Sequence, residues 1–254
     1  MSAPQLLYGA RGAADFAMPA ALAPVVPDTI RLHDVEIHYA LFELPMAAVL
    51  PRLPASLHPS IPAVLATCLW RVPDSACGPF SFAYTGIACR TGIKPRHFVV
   101  RAWCDNPDAG LLFGDRYGLQ CDSAAIVSRE SYDRIHGVVR IDERTILEVV
   151  TTDMVALAGT GAMVKYSPAL GLASLHQEPK MIQFEAAYDF KRVLRGEVRA
   201  AVYDAAAMGE PALEPTTPIA GTFAVCDVDL LPARFCVDLN VPAESGGAKK
   251  IKSL

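Results

Sequence analysis

The sequence predicts a mainly β protein with a few short helices, in which an antiparallel barrel or wrapped sheet encloses a cavity. Two observations support this fold class. About ten to twelve short segments alternate in polarity or are continuously apolar, and clusters of turn residues separate them. Helical periodicity is confined to a few short stretches. Many short strands with few helices favour a closed or wrapped antiparallel sheet, whose interior commonly holds a small molecule.

The composition narrows the class of protein. The chain has 254 residues, 52% of them hydrophobic, which is enough for one large domain with a sizeable core. The net charge of −4 and the pI of about 5.9 argue against a nucleic-acid partner, which would require a basic face. No apolar run reaches the roughly 18 residues of a membrane span, so we expect no membrane partner.

Cysteine and histidine usage predicts no metal and no cofactor. The seven cysteines are scattered without a C-x-x-C pair, which indicates neither a zinc site nor a disulfide framework. No pair of histidines has the spacing of metal ligands. We therefore expect a cytoplasmic protein with free thiols.

A single domain is predicted over 29–245. Residues 1–28 are rich in Ala and Pro and lack periodicity, which predicts a disordered or loosely packed N-terminal arm. Residues 246–254 carry a short basic cluster and are expected to form a disordered tail.

The first half of the domain contains the clearest strands. Residues 30–42 alternate in polarity with a slip near Asp34, which predicts a strand with a β-bulge. A short helix or turn is expected over 45–53, where prolines end it. The segments 63–72 and 79–90 are apolar runs bounded by turns, so we expect buried strands.

A short helix between strands 97–104 and 125–132 is the clearest local prediction. Asn106 is a favourable N-cap, and Pro107 fits the first helical position. Gly118 stands where a left-handed C-cap belongs. The predicted apolar face consists of Leu111, Leu112 and Phe113. Such a helix would aim the loop after it at a definite place.

The second half is less regular. Further strands are predicted over 135–141, 144–153, 194–202 and 221–231, with an end segment over 233–241. The mixed, Gly-rich and apolar residues 154–175 are expected to form a lid or helix. Residues 209–218 are expected to form a proline-rich loop.

Small landmarks over roughly 30–245 carry a resemblance to a known family. In the first half they are Leu57-His58-Pro59, Trp70-Arg71-Val72-Pro73-Asp74, Gly78-Pro79-Phe80, Cys104-Asp105-Asn106-Pro107 and Arg116-Tyr117-Gly118. In the second half they are Pro179-Lys180-Met181-Ile182, Glu214-Pro215, Gly221-Thr222-Phe223 and Asp227-Val228. With these residues the sequence resembles the acetoacetate decarboxylase superfamily. The resemblance implies a cone-shaped antiparallel β-barrel with a cavity, a homo-oligomer, and Schiff-base chemistry on a buried lysine.

The sequence departs from that family where its chemistry lies. The loop after the helix carries a lysine pair in the family, and Cys121 and Asp122 align with that pair here. The resemblance also implies an arginine at Ala40 and a carboxylate around Phe82 and Ala83. With all of these groups absent, we expect a protein that does not form the lysine imine.

The same loop supplies the candidate catalytic residues Gln120, Cys121 and Asp122. Gln120 and Asp122 can hydrogen-bond a substrate carbonyl, and Asp122 suits a general acid, although both residues also suit a turn. Cys121 is either a reactive thiol or a small buried side chain that fills the space of the missing lysine.

The candidate substrate-binding residues are Arg101, Trp103 and Tyr84. Arg101 interrupts an apolar strand and either binds a substrate carboxylate or pairs with Glu130 or Asp122. Trp103 has the same parity as Arg101, so both are expected to face the same side. Tyr84 either donates a hydrogen bond into the cavity or is an aromatic ring that only packs in the core.

Three functions remain open from the sequence. The first is an enzyme that acts on a keto or enol compound by lyase, dehydratase or cyclase chemistry without a lysine imine. The second is a non-catalytic binding protein for a hydrophobic carbonyl ligand. The third is a decarboxylase that uses a relocated lysine, Lys165. In each case the expected partner is a small carbonyl compound.

Overall fold

The computed structural model describes residues 7–158, 168–243 and 249–251. The strands are β1 (Ile30–Glu43), β2 (His58–Pro59), β3 (Val64–Val72), β4 (Phe80–Thr91), β5 (Lys94–Cys104), β6 (Cys121–Ser123), β7 (Ala125–Ser131), β8 (Arg134–Ile141), β9 (Arg144–Ala156), β10 (Ala169–Leu175), β11 (Glu178–Phe184), β12 (Ala186–Tyr203), β13 (Pro218–Leu230), β14 (Phe235–Asp238) and β15 (Lys249–Lys250). The helices are α1 (Met46–Val49) and α2 (Pro107–Tyr117), preceded by a short 3-10 helix over Ala13–Asp15. The predicted fold class, mainly β with a few short helices, is confirmed.

All strands belong to one sheet, in the order β15-β14-β11-β10-β5-β4-β3-β1-β13-β12-β9-β8-β7, with β2 beside β4 and β6 beside β5. Neighbouring strands are antiparallel except for β10 with β5 and β5 with β6. Within the described ranges the hydrogen-bond ladder does not close, because β7 and β15 remain its end strands. The sheet wraps instead, so that β7 lies against β3 and β4. Over the described residues the structure is therefore a wrapped sheet and not a closed barrel. Its end strand β7 meets β3 and β4 by packing, without ladder hydrogen bonds.

The wrapped sheet builds two cores, one on each face. We call the face covered by α2 the helix face, where the rings of Phe82 and Phe113 stack with centroids 4.1 Å apart. We call the face covered by β7 and β8 the hairpin face, where Leu69, Trp103 and Val139 are buried. Alternate residues of a strand point to opposite faces. Strands β1, β3, β4 and β5 therefore contribute to both cores.

Helix α2 forms where local signals predict it. The Asn106 side chain accepts hydrogen bonds from the backbone N–H groups of Asp108 and Ala109, and Gly118 ends the helix with φ of 68°. The buried side of the helix is Ala109, Phe113, Gly114 and Tyr117. Leu111 is exposed, so the predicted apolar face is correct only in part.

Strand β1 carries the predicted irregularity. Asp34 has a φ of 53°, and the register between β1 and β13 shifts between Leu32 and Val35. The bulge predicted near Asp34 is therefore confirmed. It restores alternation, so that Ile37 and Tyr39 belong to the helix-face core.

The segment predicted as a lid or helix differs in the structure. Residues 169–175 form strand β10, which pairs with β11, so the prediction is wrong for this part. The apolar and Gly-rich sequence has no period that separates a buried strand from a helix. Residues 159–167, including Lys165, lie outside the described residues.

The described parts of the N-terminal arm and of the tail contact the domain. In the described part of the N-terminal arm, the backbone N–H of Gly9 donates to the carbonyl of Leu57 and that of Leu22 donates to Ser174. In the tail, Lys249 and Lys250 form β15 against β14. No helix in the described ranges combines the length and apolar character needed to cross a bilayer.

Candidate functional site

The short strand β6 sets the direction of the loop that follows α2. It runs parallel to the end of β5, with Cys121 beside Ala102 and Asp122 beside Trp103. Because successive strand residues point to opposite faces, Cys121 belongs to the helix face and Asp122 to the hairpin face. Gln120 precedes the strand and is exposed. Gln120 and Cys121 both line a groove between α2 and β6, whereas Asp122 lies on the opposite face, so the three predicted catalytic residues do not converge.

On the hairpin face, the end of β5 brings Arg101, Trp103 and Asp122 together. Arg101 and Trp103 share this face, as their spacing predicts, and Trp103 is buried. The Nε of Arg101 donates to the carbonyl of Met208 at 2.5 Å. Its Nη1 lies 3.8 Å from Oδ2 of Asp122, and the two side chains are 40% and 63% exposed. Glu130, the other acid considered for Arg101, bonds Arg192 instead.

The Arg101–Asp122 contact is loose and solvent-exposed. A separation of 3.8 Å exceeds that of a direct charge-assisted hydrogen bond, which is about 2.7–2.9 Å. Exposed pairs of this kind contribute roughly 0–1 kcal/mol, because water competes for both partners. An anion that approaches the guanidinium can therefore replace Asp122 at little cost.

Two alanines lie on the same face where the family resemblance implies charged groups. Ala40 and Ala83 are fully buried and belong to the hairpin-face core. Ala83 pairs directly with Trp103 across β4 and β5. These two positions therefore supply neither the arginine nor the carboxylate that the family resemblance implies beside the lysine imine.

On the helix face, one transverse row of side chains crosses five strands. Tyr39 pairs with Cys68, Cys68 with Tyr84, Tyr84 with Ala102, and Ala102 with Cys121. Tyr84 and Cys121 are thus on one face, two strands apart. Tyr84 lies on the opposite side of the sheet from Arg101 and Trp103, so the three predicted substrate-binding residues do not share one pocket.

Two polar atoms of this row form hydrogen bonds with side chains next to the row. The hydroxyl of Tyr39 lies 2.9 Å from Nε2 of His97, and Nε1 of Trp70 donates to Sγ of Cys68 at 3.2 Å. Burial raises the pKa of Tyr84 well above its usual value, with the neighbouring Cys68 as a second cause. The tyrosine therefore stays neutral and acts as a donor.

Cys121 borders a groove between α2 and β6. The groove has a volume of about 310 Å³ and is also lined by Cys104, Gln120 and Ser123. Burial raises the pKa of the Cys121 thiol, and the nearby Cys104 and Asp122 raise it further. Burial also raises the pKa of Cys104 to about 11. Both thiols stay protonated at neutral pH, so neither is an activated nucleophile.

Sequence reasoning did not select several polar residues that the structure buries. Tyr39 and Cys68 meet on the helix face, and His38 and Thr67 lie on the hairpin face. The period of a strand predicts which face of the sheet a residue occupies. It does not predict which residues of the neighbouring strands lie beside it, because that depends on the pairing register. Among the residues that the structure describes, no group of three or more His, Cys, Asp or Glu could hold a metal ion.

Comparison with solved structures defines the class of fold: the chain shares the fold of acetoacetate decarboxylase. A structure from studies of that enzyme matches with a TM-score of 0.72 and 12% identity, over 82% of this chain and 89% of the other. The acetoacetate decarboxylase of Legionella pneumophila matches with a TM-score of 0.69 and 16% identity, over 92% and 97% of the two chains.

A biosynthetic enzyme has the same fold. The enduracididine biosynthesis enzyme MppR, complexed with the condensation product of pyruvate and imidazole 4-carboxaldehyde, matches with a TM-score of 0.68 and 15% identity, over 86% of this chain and 97% of that chain. No protein-family model and no curated protein sequence matches this chain. At these identities the likeness establishes the fold alone.

Proposed function

We propose that the protein is an enzyme that acts on a keto or enol compound bearing a carboxylate, by lyase, dehydratase or cyclase chemistry without a lysine imine. The observation that carries this proposal is the exposed contact between Arg101 and Asp122 beside the buried Trp103. A guanidinium, a carboxylate and a buried aromatic ring lie together there, at the end of β5. The fold supports the proposal because solved proteins that share it include a decarboxylase and an enzyme complexed with a pyruvate condensation product.

Arg101 is the proposed carboxylate-binding residue. Its Nε is held by Met208, which fixes the plane of the guanidinium. In the described residues its remaining ion-pair partner is Asp122, at 3.8 Å. A substrate carboxylate can approach the outer edge of the guanidinium and form a two-pronged hydrogen bond. This step would release Asp122 from Arg101.

Asp122 is the proposed proton-transfer group. Once displaced from the guanidinium, its carboxylate can remove the proton from the carbon next to the substrate carbonyl, which leaves an enol or enolate. The same proton can then pass to a β-hydroxyl group, which departs as water while the C–O bond breaks and a C=C bond forms. The balance of this dehydration needs no further reactant. Trp103 would hold the carbon skeleton.

A direct test combines an activity screen with two variants. Purified protein is incubated with keto acids, with β-hydroxy keto acids, and with pyruvate plus an aldehyde, and products are followed by NMR. We expect Arg101→Gln to raise KM and Asp122→Asn to lower kcat by about 10²–10⁴-fold. The exposed Arg140→Gln is the matched charge control. Turnover that is equal in the parent and in both variants would contradict the proposal.

Borohydride trapping separates this chemistry from a lysine imine. We expect no mass increment on the protein after reduction in the presence of pyruvate or acetoacetate. A stable increment that maps to Lys165 would favour the decarboxylase that uses a relocated lysine.

A second candidate function is non-catalytic binding of a hydrophobic carbonyl ligand. The buried Ala40 and Ala83 favour it, because neither position supplies a charged side chain to the hairpin-face core. Native mass spectrometry is the test. A bound carbonyl compound that is retained and unaltered after incubation would support binding over catalysis.

A further inference from the structure

The side chain of Arg101 reaches from β5 to a turn that directly follows β12. We call this turn, residues 204–210, the β12 turn. Nε of Arg101 donates to the carbonyl of Met208 in the turn, at 2.5 Å. A Cβ added at Gly209 would lie 2.3 Å from Nη2 and 3.4 Å from Cζ of the same arginine. The guanidinium therefore occupies the space that a side chain at Gly209 would fill.

Hydrogen bonds inside the β12 turn fix its backbone. Three consecutive N–H groups donate to carbonyls earlier in the turn: Met208 to Asp204, Gly209 to Ala206, and Glu210 to Ala205. The Met208 side chain is 3% exposed and belongs to the hairpin-face core, which anchors the turn in the domain. The Met208 carbonyl is thus an acceptor in a fixed place.

Two further contacts join the β12 turn to the framework. At its start, the N–H of Asp204 donates to the carbonyl of Ile146 on β9 at 2.8 Å. At its end, Glu210 accepts a hydrogen bond from Nε of Arg52 at 2.9 Å. The guanidinium of Arg101, by contrast, ends a flexible side chain that is 40% exposed. A side chain introduced at Gly209 would therefore displace Arg101 more readily than the turn.

Gly209 meets two requirements at once, and a second glycine separates them. Its φ of 75° lies in the left-handed region, where a residue with a side chain is strained. It also lies in close contact with Arg101. Gly78 has almost the same φ, 78°, but a Cβ added there would meet no heavy atom within 4 Å in the described residues. Gly78→Ala therefore carries the strain without the displacement.

The three nitrogens of the Arg101 guanidinium have different surroundings. Nε bonds Met208, Nη2 lies against Gly209, and Nη1 is 3.8 Å from Asp122. A carboxylate is bound by two N–H groups in one plane, so the orientation of that plane decides whether binding occurs. A side chain that is already held also loses less rotamer freedom when the ligand arrives. The β12 turn therefore prepares Arg101 for a carboxylate.

We propose that Gly209 is a positioning residue for Arg101. Because it has no side chain, the guanidinium can lie against the β12 turn with Nε on Met208, in the orientation that receives a substrate carboxylate. This inference rests on the proposed function, in which Arg101 binds that carboxylate. It adds to the site a segment that is remote in sequence from β5 and that touches the substrate only through Arg101.

The first measurement follows the Nε–H group of Arg101 by NMR, in protein labelled with ¹⁵N in its arginine side chains. Loss of the signal in Arg101→Gln assigns it. An Nε–H that donates to a carbonyl exchanges slowly with water, because the hydrogen bond must open first. We expect Gly209→Ala to raise the exchange rate about fivefold or more, the factor that one hydrogen bond of typical net strength supplies. Gly78→Ala should leave the rate unchanged.

The second measurement titrates pyruvate and methyl pyruvate against the same signal, so it needs no turnover. Methyl pyruvate keeps the carbonyl but has no carboxylate charge, and only pyruvate should shift the Arg101 signal. We expect the Kd of pyruvate to rise about tenfold or more in Gly209→Ala, because hydrogen bonds between charged groups are weakened. Gly78→Ala should bind pyruvate as the parent protein does.

A second variant at the same position separates backbone strain from displacement. Asn adopts positive φ more readily than Ala, so Gly209→Asn should have a Tm closer to that of the parent. It still introduces a Cβ against Nη2, so the faster exchange and the higher Kd should persist. In an Arg101→Gln background, Gly209→Ala should change pyruvate binding no further. For any keto acid that is turned over, Gly209→Ala should raise KM more than it lowers kcat.

The outcomes distinguish this inference from the proposed function. Parent-like exchange and pyruvate binding in both Gly209 variants would overturn the positioning role, and the proposed function would stand if Arg101→Gln still raised KM. Equal effects of Gly78→Ala and Gly209→Ala would assign the change to backbone strain and would also overturn it. Pyruvate that does not shift the Arg101 signal in the parent protein would reject Arg101 as the carboxylate-binding residue, and the positioning role with it.

Discussion

Nε2 of His38 and Oγ1 of Thr151 lie 2.8 Å apart in the interior of the hairpin face, where neither side chain has exposed surface. Burial, with a smaller contribution from the nearby His136, lowers the pKa of His38 from 6.5 to about 3. The histidine is therefore neutral in the folded protein across the physiological range. This gives the chain a titratable group whose protonation opposes folding.

The first prediction concerns stability at acid pH. Because the pKa of His38 is lower in the folded than in the unfolded state, the unfolded state binds more protons between about pH 6.5 and pH 3. The contribution of His38 should be constant above pH 6.5 and should destabilise the fold as the pH falls below it, ultimately by several kcal/mol. Urea unfolding at several pH values measures this slope. His38→Leu should flatten it, whereas the exposed His176→Asn should not; equal slopes in all three proteins would refute the assignment.

The second prediction concerns the energy of the Arg101–Asp122 contact. A double-mutant cycle with Arg101→Gln and Asp122→Asn should give a coupling energy below about 0.5 kcal/mol in the absence of ligand, because both side chains are exposed and 3.8 Å apart. Chemical denaturation of the four proteins provides the measurement. A coupling above about 1 kcal/mol would show that Asp122 holds Arg101 too firmly for a ligand to replace it.

The third prediction concerns the cap of α2. Asn106→Ala should lower the free energy of unfolding by about 1–2 kcal/mol, because two backbone N–H groups lose their acceptor. Asn106→Asp keeps that acceptor and loses only the hydrogen bonds from Nδ2 to the carbonyls of Cys77 and Pro79, so its effect should be smaller. Urea denaturation compares both with Asn240→Ala, an exposed change expected to fall within about 0.5 kcal/mol of the parent. Equal losses in the two Asn106 variants would assign the effect to the hydrogen bonds from Nδ2 to Cys77 and Pro79.

The fourth prediction concerns Cys121. Since burial raises the pKa of its thiol, labelling by iodoacetamide at neutral pH should be slow in the native protein and fast after unfolding. Cys121→Ala should retain whatever turnover the screen detects. Mass mapping of the labelled peptides and kinetics of the variant provide the measurements. Rapid native labelling together with loss of activity in Cys121→Ala would restore the cysteine as a nucleophile.

Sequence reasoning succeeded where the deciding signals are local. The boundaries of α2 follow from Asn106, Pro107 and Gly118, all within the helix or next to it. The bulge at Asp34 is visible as a slip in alternation, and the common face of Arg101 and Trp103 follows from their spacing within one strand.

It failed where the outcome depends on partners far along the chain. Tyr84 is separated from Arg101 because the register of β4 with β5 pairs Tyr84 with Ala102 and Thr85 with Arg101. A shift of one residue would have united Tyr84 with Arg101. The tail strand at Lys249 and Lys250 likewise depends on β14, and nothing in its own sequence favours a strand.

The three-residue strand β6 has an evolutionary consequence. Because Cys121 and Asp122 occupy opposite faces through one short parallel pairing, a single insertion or deletion between Gly118 and Cys121 would exchange the thiol and the carboxylate between the two cores. Adding or removing one loop residue could thus move the carboxylate of Asp122 from the hairpin face to the helix face, while the other strands keep their positions. In a scaffold of this kind, a change in the length of one loop can alter which face of the sheet carries a given functional group.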